Sequence, residues 1–215
     1  DVEGINVVIL YPSGKVSDIQ EKQLTTLDKN IFALEVDGTF DDCQNLVKQA
    51  FLDKKLRKNI DVSSANSINI ARLIPQSFYY FNAYAKLNTR KKIAVSVPSG
   101  NFGNITAGIL AKLMGLPIEH FIASTNNNKT VPEFLTENIY VPKKTISTIS
   151  NAMDVGDPSN MKRILDIYKN AENLKKEFSS WSFTDSETKE CIFHTLQNYS
   201  YLLDPHSSVG LLGLR

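Results

Sequence analysis

The chain has 215 residues, with 24 Lys and Arg against 23 Asp and Glu, and 42% of it is hydrophobic. That apolar share is enough to close a core and excludes a disordered chain, while the near-balanced charge leaves no field to gather nucleic acid or an anionic membrane. The expected partner is therefore a small molecule.

Residues 5–11 form a short, nearly all-apolar, β-branched run, which predicts a strand buried on both faces of a parallel sheet and ended by Tyr11-Pro12-Ser13-Gly14. Ser17 with Gln20 three residues later is a capping-box signature for a short helix through Gln23. A second strand, Ile31–Val36, leads through Asp37-Gly38-Thr39 into an acidic helix start at Asp41-Asp42. The amphipathic run that follows carries Cys43, Leu46, Val47, Ala50 and Phe51 on one side. The charged stretch 53–61 has no apolar stripe and is the expected boundary between two lobes, 1–60 and 61–215.

Residues 66–87 read as helical and aromatic-rich (Phe78, Tyr79, Tyr80, Phe81, Tyr84), with Pro75 expected to kink the helix or mark its first turn. No basic groove accompanies these rings, so they read as core packing rather than as a platform for bases. A third strand, 93–97, runs through Pro98-Ser99-Gly100-Asn101-Phe102-Gly103-Asn104 into an apolar helix, 105–113, closed by Gly115 and Pro117. A fourth strand, 118–123, precedes the polar run 124–128; a helix is expected near Val131-Pro132-Glu133, and a long one from after Pro158 to about Phe178. Recurrent strand, polar loop and helix predict an α/β fold with a doubly wound, mostly parallel sheet and ligands at the carboxyl ends of its strands.

Cys43 and Cys191 lie far apart with no CxxC pair, and His120, His194 and His206 are scattered, so reduced buried thiols and no metal site are expected. No apolar run is long enough to span a bilayer and the first residues are unlike a signal peptide, which points to a cytoplasmic protein.

Three constellations carry chemistry. The turn Gly100-Asn101-Phe102-Gly103-Asn104 sits between a strand and a helix N-terminus, where backbone N–H groups and the helix dipole converge on one small volume suited to a phosphate. It is neither a dinucleotide fingerprint nor a Walker loop, and taken alone such a turn is more often only a turn. In Ser64-Ala65-Asn66-Ser67-Ile68-Asn69-Ile70-Ala71-Arg72, polar residues recur every third position, giving amide donors and a guanidinium fork on one face; an N-cap followed by a surface arginine explains the pattern equally well. In Asp204-Pro205-His206-Ser207-Ser208-Val209-Gly210, the plain reading of Ser207 is a helix cap.

The words YPSGKVSDIQEKQ, VDGTFDDCQNLVKQAF, SANSINIARLIPQSFYYF, VPSGNFGN and ISNAMDVGDPSN, in this order and over nearly the whole chain, resemble threonine synthases, which are fold-type-II pyridoxal-phosphate (PLP) enzymes. The resemblance implies a two-lobed, tryptophan synthase β-like fold, of which this chain is the C-terminal portion. Residues 1–60 would finish the smaller lobe and 61–215 would form much of the larger. It implies that Gly100, Asn101, Phe102, Gly103 and Asn104 hold the 5′-phosphate of PLP and that Ser207 meets the pyridine nitrogen. Asn66, Ser67, Asn69 and Arg72 would grip the phosphate of O-phospho-L-homoserine, the substrate converted with water to threonine and phosphate. The Schiff-base lysine of the family lies in a Phe-Lys-Asp segment, and none of the lysines here has that context. The chain alone is therefore expected to be inactive. The competing readings are a dehydratase-like lyase of the same fold, whose substrate carries no phosphate, and a noncatalytic phosphate-binding module.

Overall fold

The structure, a computed structural model, describes residues 3–66 and 69–215, and of Asp41 only the backbone. The predicted substrate residue Ser67 lies outside the described residues. The chain divides into two compact units, Asp1–Ser63 and Ser64–Arg215.

In the first unit, β1 (Val7–Pro12) pairs in parallel with β2 (Ile31–Val36) in a two-stranded sheet, Val8 opposite Phe32 and Leu10 opposite Leu34. The helices are α1 (Asp18–Thr25), α2 (Phe40–Leu52) and α3 (Lys54–Asn59). The predicted capping box of α1 forms, with Ser17 accepting from the Gln20 N–H, and Thr39 with Asp42 makes a second one for α2. Two expectations are corrected. β1 is not buried on both faces: Val8 is 58% exposed and its neighbours Phe32 and Leu34 are half exposed, because alternate residues of so narrow a sheet share a face left open among the described residues. The charged stretch after Asp53 is helical rather than a plain connection, since the Asp53 carboxylate accepts from the Lys55 and Leu56 N–H groups and starts α3.

The second unit is built on a parallel sheet in the order β3 (Ile93–Pro98), β4 (Ile118–Thr125) and β5 (Phe178–Ser182). Side chains alternate across it. Val97, Phe121, Ala123 and Phe178 point into a core with Ile105 and Ile109 of α5 (Gly103–Leu113), Met161 and Ile164 of α7 (Met161–Tyr168), and Leu174 of α8 (Ala171–Lys175). Burying each of these side chains except the small Ala123 contributes about 1.5–3 kcal/mol. The opposite face presents Ser96, Pro98 and Ser124 to α10 (Pro205–Leu212), which comes so close that a Cβ on Gly213 would stand 2.0 Å from the Ser124 hydroxyl. The Ser96 hydroxyl donates to the Gly210 carbonyl across this contact. Helices therefore cover both faces, as a doubly wound sheet requires. The remaining helices are α4 (Ile70–Lys86), α6 (Thr130–Glu137) and α9 (Asp185–Tyr199).

Three expectations change here. The long helix through Phe178 breaks at Lys169, which takes φ 70°; Asn170 then caps α8, and Phe178 opens a strand. The α4 aromatics are not uniformly core: Tyr80 is buried, while Phe78 and Tyr79 are more than 60% exposed. Pro75 lies in the second turn of α4 rather than marking its first. Both cysteines are buried and unpaired, as expected, and burial pushes the Cys43 thiol pKa up. Among the described residues no helix is long and apolar enough to cross a membrane, and no cluster of ligating side chains is assembled for a metal.

Candidate functional site

At the carboxyl end of β3, the Ser99 N–H bonds to the Ser124 carbonyl at 2.8 Å, and the chain then turns sharply into α5. Phe102, the N-cap of α5, is in the left-handed region at φ 59° with its ring buried. A non-glycine residue there costs about 1 kcal/mol, so the surrounding structure must hold it. Its carbonyl accepts from both the N–H and the hydroxyl of Thr106. No side chain caps α5, and among the described residues no acceptor is bonded to the N–H groups of Gly100, Phe102, Gly103 or Asn104. Phe102 and Gly103 are themselves buried, so their open donors carry a desolvation cost that an anion at the helix N-terminus would relieve.

The turn is held from three sides. The Asn101 side-chain oxygen accepts from the Ser159 N–H at 2.7 Å and from its hydroxyl at 2.9 Å, and the Asn101 carbonyl accepts from the Asn160 amide at 2.9 Å. Gly100 lies against the 3-10 turn Asn151–Met153: a Cβ there would be 2.6 Å from the Met153 Cα. Asn104 accepts from the Tyr80 hydroxyl at 2.8 Å and donates to Gln76 at 3.4 Å, while Gln76 donates to the Arg72 carbonyl at 2.9 Å. Gln76 therefore links the start of α4, where Asn66, Asn69 and Arg72 sit, to the α5 turn. Its role is invisible in sequence because its partner is 28 residues away.

The two patterns that admitted a capping explanation do make caps. Asn69 is the N-cap of α4, accepting from the Ala71 N–H at 3.0 Å and donating to the Ser64 carbonyl at 2.7 Å. The Asn66 carbonyl accepts from the Asn69 N–H. The exposed Arg72 guanidinium turns back on the Ala65 carbonyl through one of its five N–H groups. Ser207 stands in the first turn of α10 and donates its hydroxyl to Asp204, the N-cap. A cavity of about 460 Å³ between α6, β5 and the end of α10, lined by Lys129, Trp181 and Arg215 among others, contains none of the predicted residues.

The Asp204 carboxylate accepts from the Ser207 hydroxyl and from the Ser207 and His206 N–H groups; these bonds, the Ser207 hydroxyl first, bring its pKa down from 3.8 to about 2. A native pKa below the unfolded one means that the charged cap stabilises fully above the unfolded value and loses its contribution as pH falls through about 2. The difference in melting temperature between the wild type and Asp204→Asn is accordingly expected to shrink between about pH 4 and pH 2. A difference that stays constant with pH would show that charge on the cap does not matter.

A parallel sheet covered on both faces, with an uncapped, glycine-flanked helix N-terminus at the carboxyl end of β3, is an α/β arrangement suited to holding a phosphorylated cofactor. A family model described as pyridoxal-phosphate dependent enzyme matches residues 1–215, and the chain belongs to that family. The chain is 49% identical over 211 residues to threonine synthase of Buchnera aphidicola subsp. Schizaphis graminum, covering 97% of this chain and 49% of the relative. Among solved structures it is similar to threonine synthase from Escherichia coli, with TM-score 0.88 and 48% identity over 98% of this chain and 49% of the other. It is also similar to a PLP-bound threonine synthase from Brucella melitensis, with TM-score 0.83 and 36% identity over 96% and 50% of the two chains. The chain thus spans about half the length of the relatives it matches. Pyridoxal phosphate is the cofactor of the family, and the open amides of the turn fit its 5′-phosphate.

Proposed function

We propose that this chain supplies the cofactor-phosphate cradle and part of the substrate-phosphate site of a threonine synthase. In the whole enzyme, O-phospho-L-homoserine and water become L-threonine and phosphate. The observation that carries this reading is the α5 N-terminus, where Gly100, Phe102, Gly103 and Asn104 offer N–H groups without acceptors among the described residues. The 5′-phosphate would sit on the turn 100–104, with Asn101 held by Ser159 and Asn160. PLP, when bound, supplies an electron sink that the side chains lack.

The chain's own part is to bind, orient and stabilise charge. Arg72 keeps N–H groups beyond the one given to Ala65 and, with Asn66, Ser67 and Asn69, would receive the substrate phosphate. That group is the one released, so donors fixed around it favour the charge that grows on its oxygens as it leaves. Two phosphate sites braced against each other through Gln76 also set the substrate's orientation relative to the cofactor. For Ser207 to donate to the pyridine nitrogen, its hydroxyl must first leave Asp204. Residues 1–60 would complete the smaller lobe and 61–215 much of the larger, in a cytoplasmic enzyme. Without the cofactor-anchoring lysine the chain by itself does not turn over; threonine formed by the purified chain with PLP would refute this.

The dehydratase-like alternative lacks a use for Arg72 and its neighbours, because its substrate carries no phosphate. Phosphate released from O-phosphohomoserine by the whole enzyme, against an oxo acid released from threonine, separates the two. For the cradle itself, inorganic phosphate and PLP are expected to raise the melting temperature of the chain, and Gly103→Trp to remove both responses. A wild-type chain indifferent to both ligands would sink the assignment.

A further inference from the structure

We propose that His206 is a positioning residue for the phosphate turn, acting on it through the 3-10 turn Asn151–Met153. The proposal rests on the reading of residues 100–104 as a phosphate cradle. The Ala152 N–H belongs to the opening of that 3-10 turn, where backbone donors have no partner within the turn itself. It reaches His206 Nε2 at 3.3 Å. Nε2 can accept there only when the ring proton is on Nδ1, and Nδ1 lies 3.2 Å from Asp204 Oδ1, an acceptor that fixes this tautomer and the ring plane.

Asp204 is itself fixed. It caps α10, and Gly210 and Gly213 seat that helix on β3 and β4 with no room for a Cβ on Gly213. His206 therefore carries the position of the sheet across 54 residues of sequence to Ala152. From there no slack remains. Gly100 packs directly on the Met153 backbone, with no room for a Cβ between them, so a shift of the 3-10 turn toward the sheet end displaces Gly100, and a shift away removes the surface that holds it and the amides of Phe102, Gly103 and Asn104. Met153 and Asp154 bond back to Ser150 and Asn151 at 2.9 and 3.0 Å, so the 3-10 turn moves as one piece. His206 touches neither phosphate site; its effect is on where the donors point.

The test uses the 215-residue chain with inorganic phosphate and with PLP, read by thermal-shift titration and by amide hydrogen exchange. His206→Leu removes the acceptor and is expected to weaken phosphate and PLP binding about fivefold, the value of one lost hydrogen bond. It should also speed exchange at Ala152 and across residues 100–104. His206→Gln, whose side-chain oxygen falls near the position of Nε2, is expected to restore binding to within about twofold of wild type. A side chain that merely stabilised α10 would shift the melting temperature in both variants and leave ligand affinity alone.

His206→Asn, too short to reach Ala152, replaces the leucine variant should that one not fold. Unchanged affinity and exchange in the leucine or asparagine variant would overturn the proposal, as would a glutamine variant no better than they are. If wild type ignores phosphate, the cradle reading falls separately. The exchange data then decide the coupling: it stands if residues 100–104 exchange faster in the variant and is lost if they do not.

Discussion

Replacing Asn126 with leucine is expected to destabilise the second unit by about 3 kcal/mol, the scale of breaking a buried polar network. Asn126 is 1% exposed at the carboxyl end of β4. Its side-chain amide nitrogen donates to Thr148 Oγ1 at 2.8 Å and Asp154 Oδ1 at 2.8 Å, with Ser150 close by, and its side-chain oxygen Oδ1 accepts from the backbone N–H and side-chain amide of Asn128 at 3.0 and 2.9 Å. Leucine leaves the Asn128 donors and Asp154 short of partners where water reaches poorly, so the cost exceeds that of one hydrogen bond. The network also pins the loop bearing Asn151–Met153, because Asp154 accepts from the Thr148 N–H at 2.9 Å and from its hydroxyl at 2.7 Å. Urea unfolding followed by tryptophan fluorescence checks this cleanly: Trp181 is the one tryptophan and lies on β5, so the signal reports the second unit alone. A loss below about 1 kcal/mol would show that the loop stands without the network.

What the sequence disclosed follows how local the physics is. β3 is an apolar β-branched run and β4 is built on Ile118, Phe121, Ile122 and Ala123, both next to Gly, Pro and Asn, so each strand and the turn between β3 and α5 are specified within a dozen residues. The capping box of α1 is equally local. β5 is different. Phe178-Ser179-Ser180-Trp181-Ser182 has little apolar character, and it is a strand because its backbone pairs with β4, Phe121 beside Phe178 and Ala123 beside Ser180. The end of α7 is hidden for a related reason: Lys169 takes positive φ without a glycine or proline to announce it.

At the site, the turn 100–104 was legible as an anion cradle from residue type and position, whereas its supports were not. Asn101 is held by Ser159 and Asn160, Asn104 by Gln76 and Tyr80, and Gly100 by the Met153 backbone, all contacts that exist only after the sheet has brought distant loops together. The α4 aromatics misled because apolar character predicts burial only on the face turned to α5, where Tyr80 meets Gly108 and Asn104, and Phe78 and Tyr79 point elsewhere.

Gly100→Ala tests whether those supports set the donors' positions, and it is expected to weaken phosphate and PLP binding about 100-fold. The added methyl would stand 2.6 Å from the Met153 Cα and 3.2 Å from the Ala152 carbonyl oxygen, both backbone atoms that cannot rotate away. Relief requires the turn and the 3-10 helix to part by about 1 Å, since packed carbon atoms sit near 3.5–4.0 Å. Hydrogen bonds to a phosphate weaken steeply beyond about 3.2 Å, and losing two charge-assisted bonds of roughly 1.5 kcal/mol each accounts for the factor. The strain itself destabilises the unit by about 1–3 kcal/mol, visible in the Trp181 unfolding curve. Ligand titration of the folded variant separates the two effects, because a generally weakened but correctly shaped turn would still bind phosphate at wild-type affinity. That outcome would mean that the amides of residues 102–104 are not the groups that meet the anion.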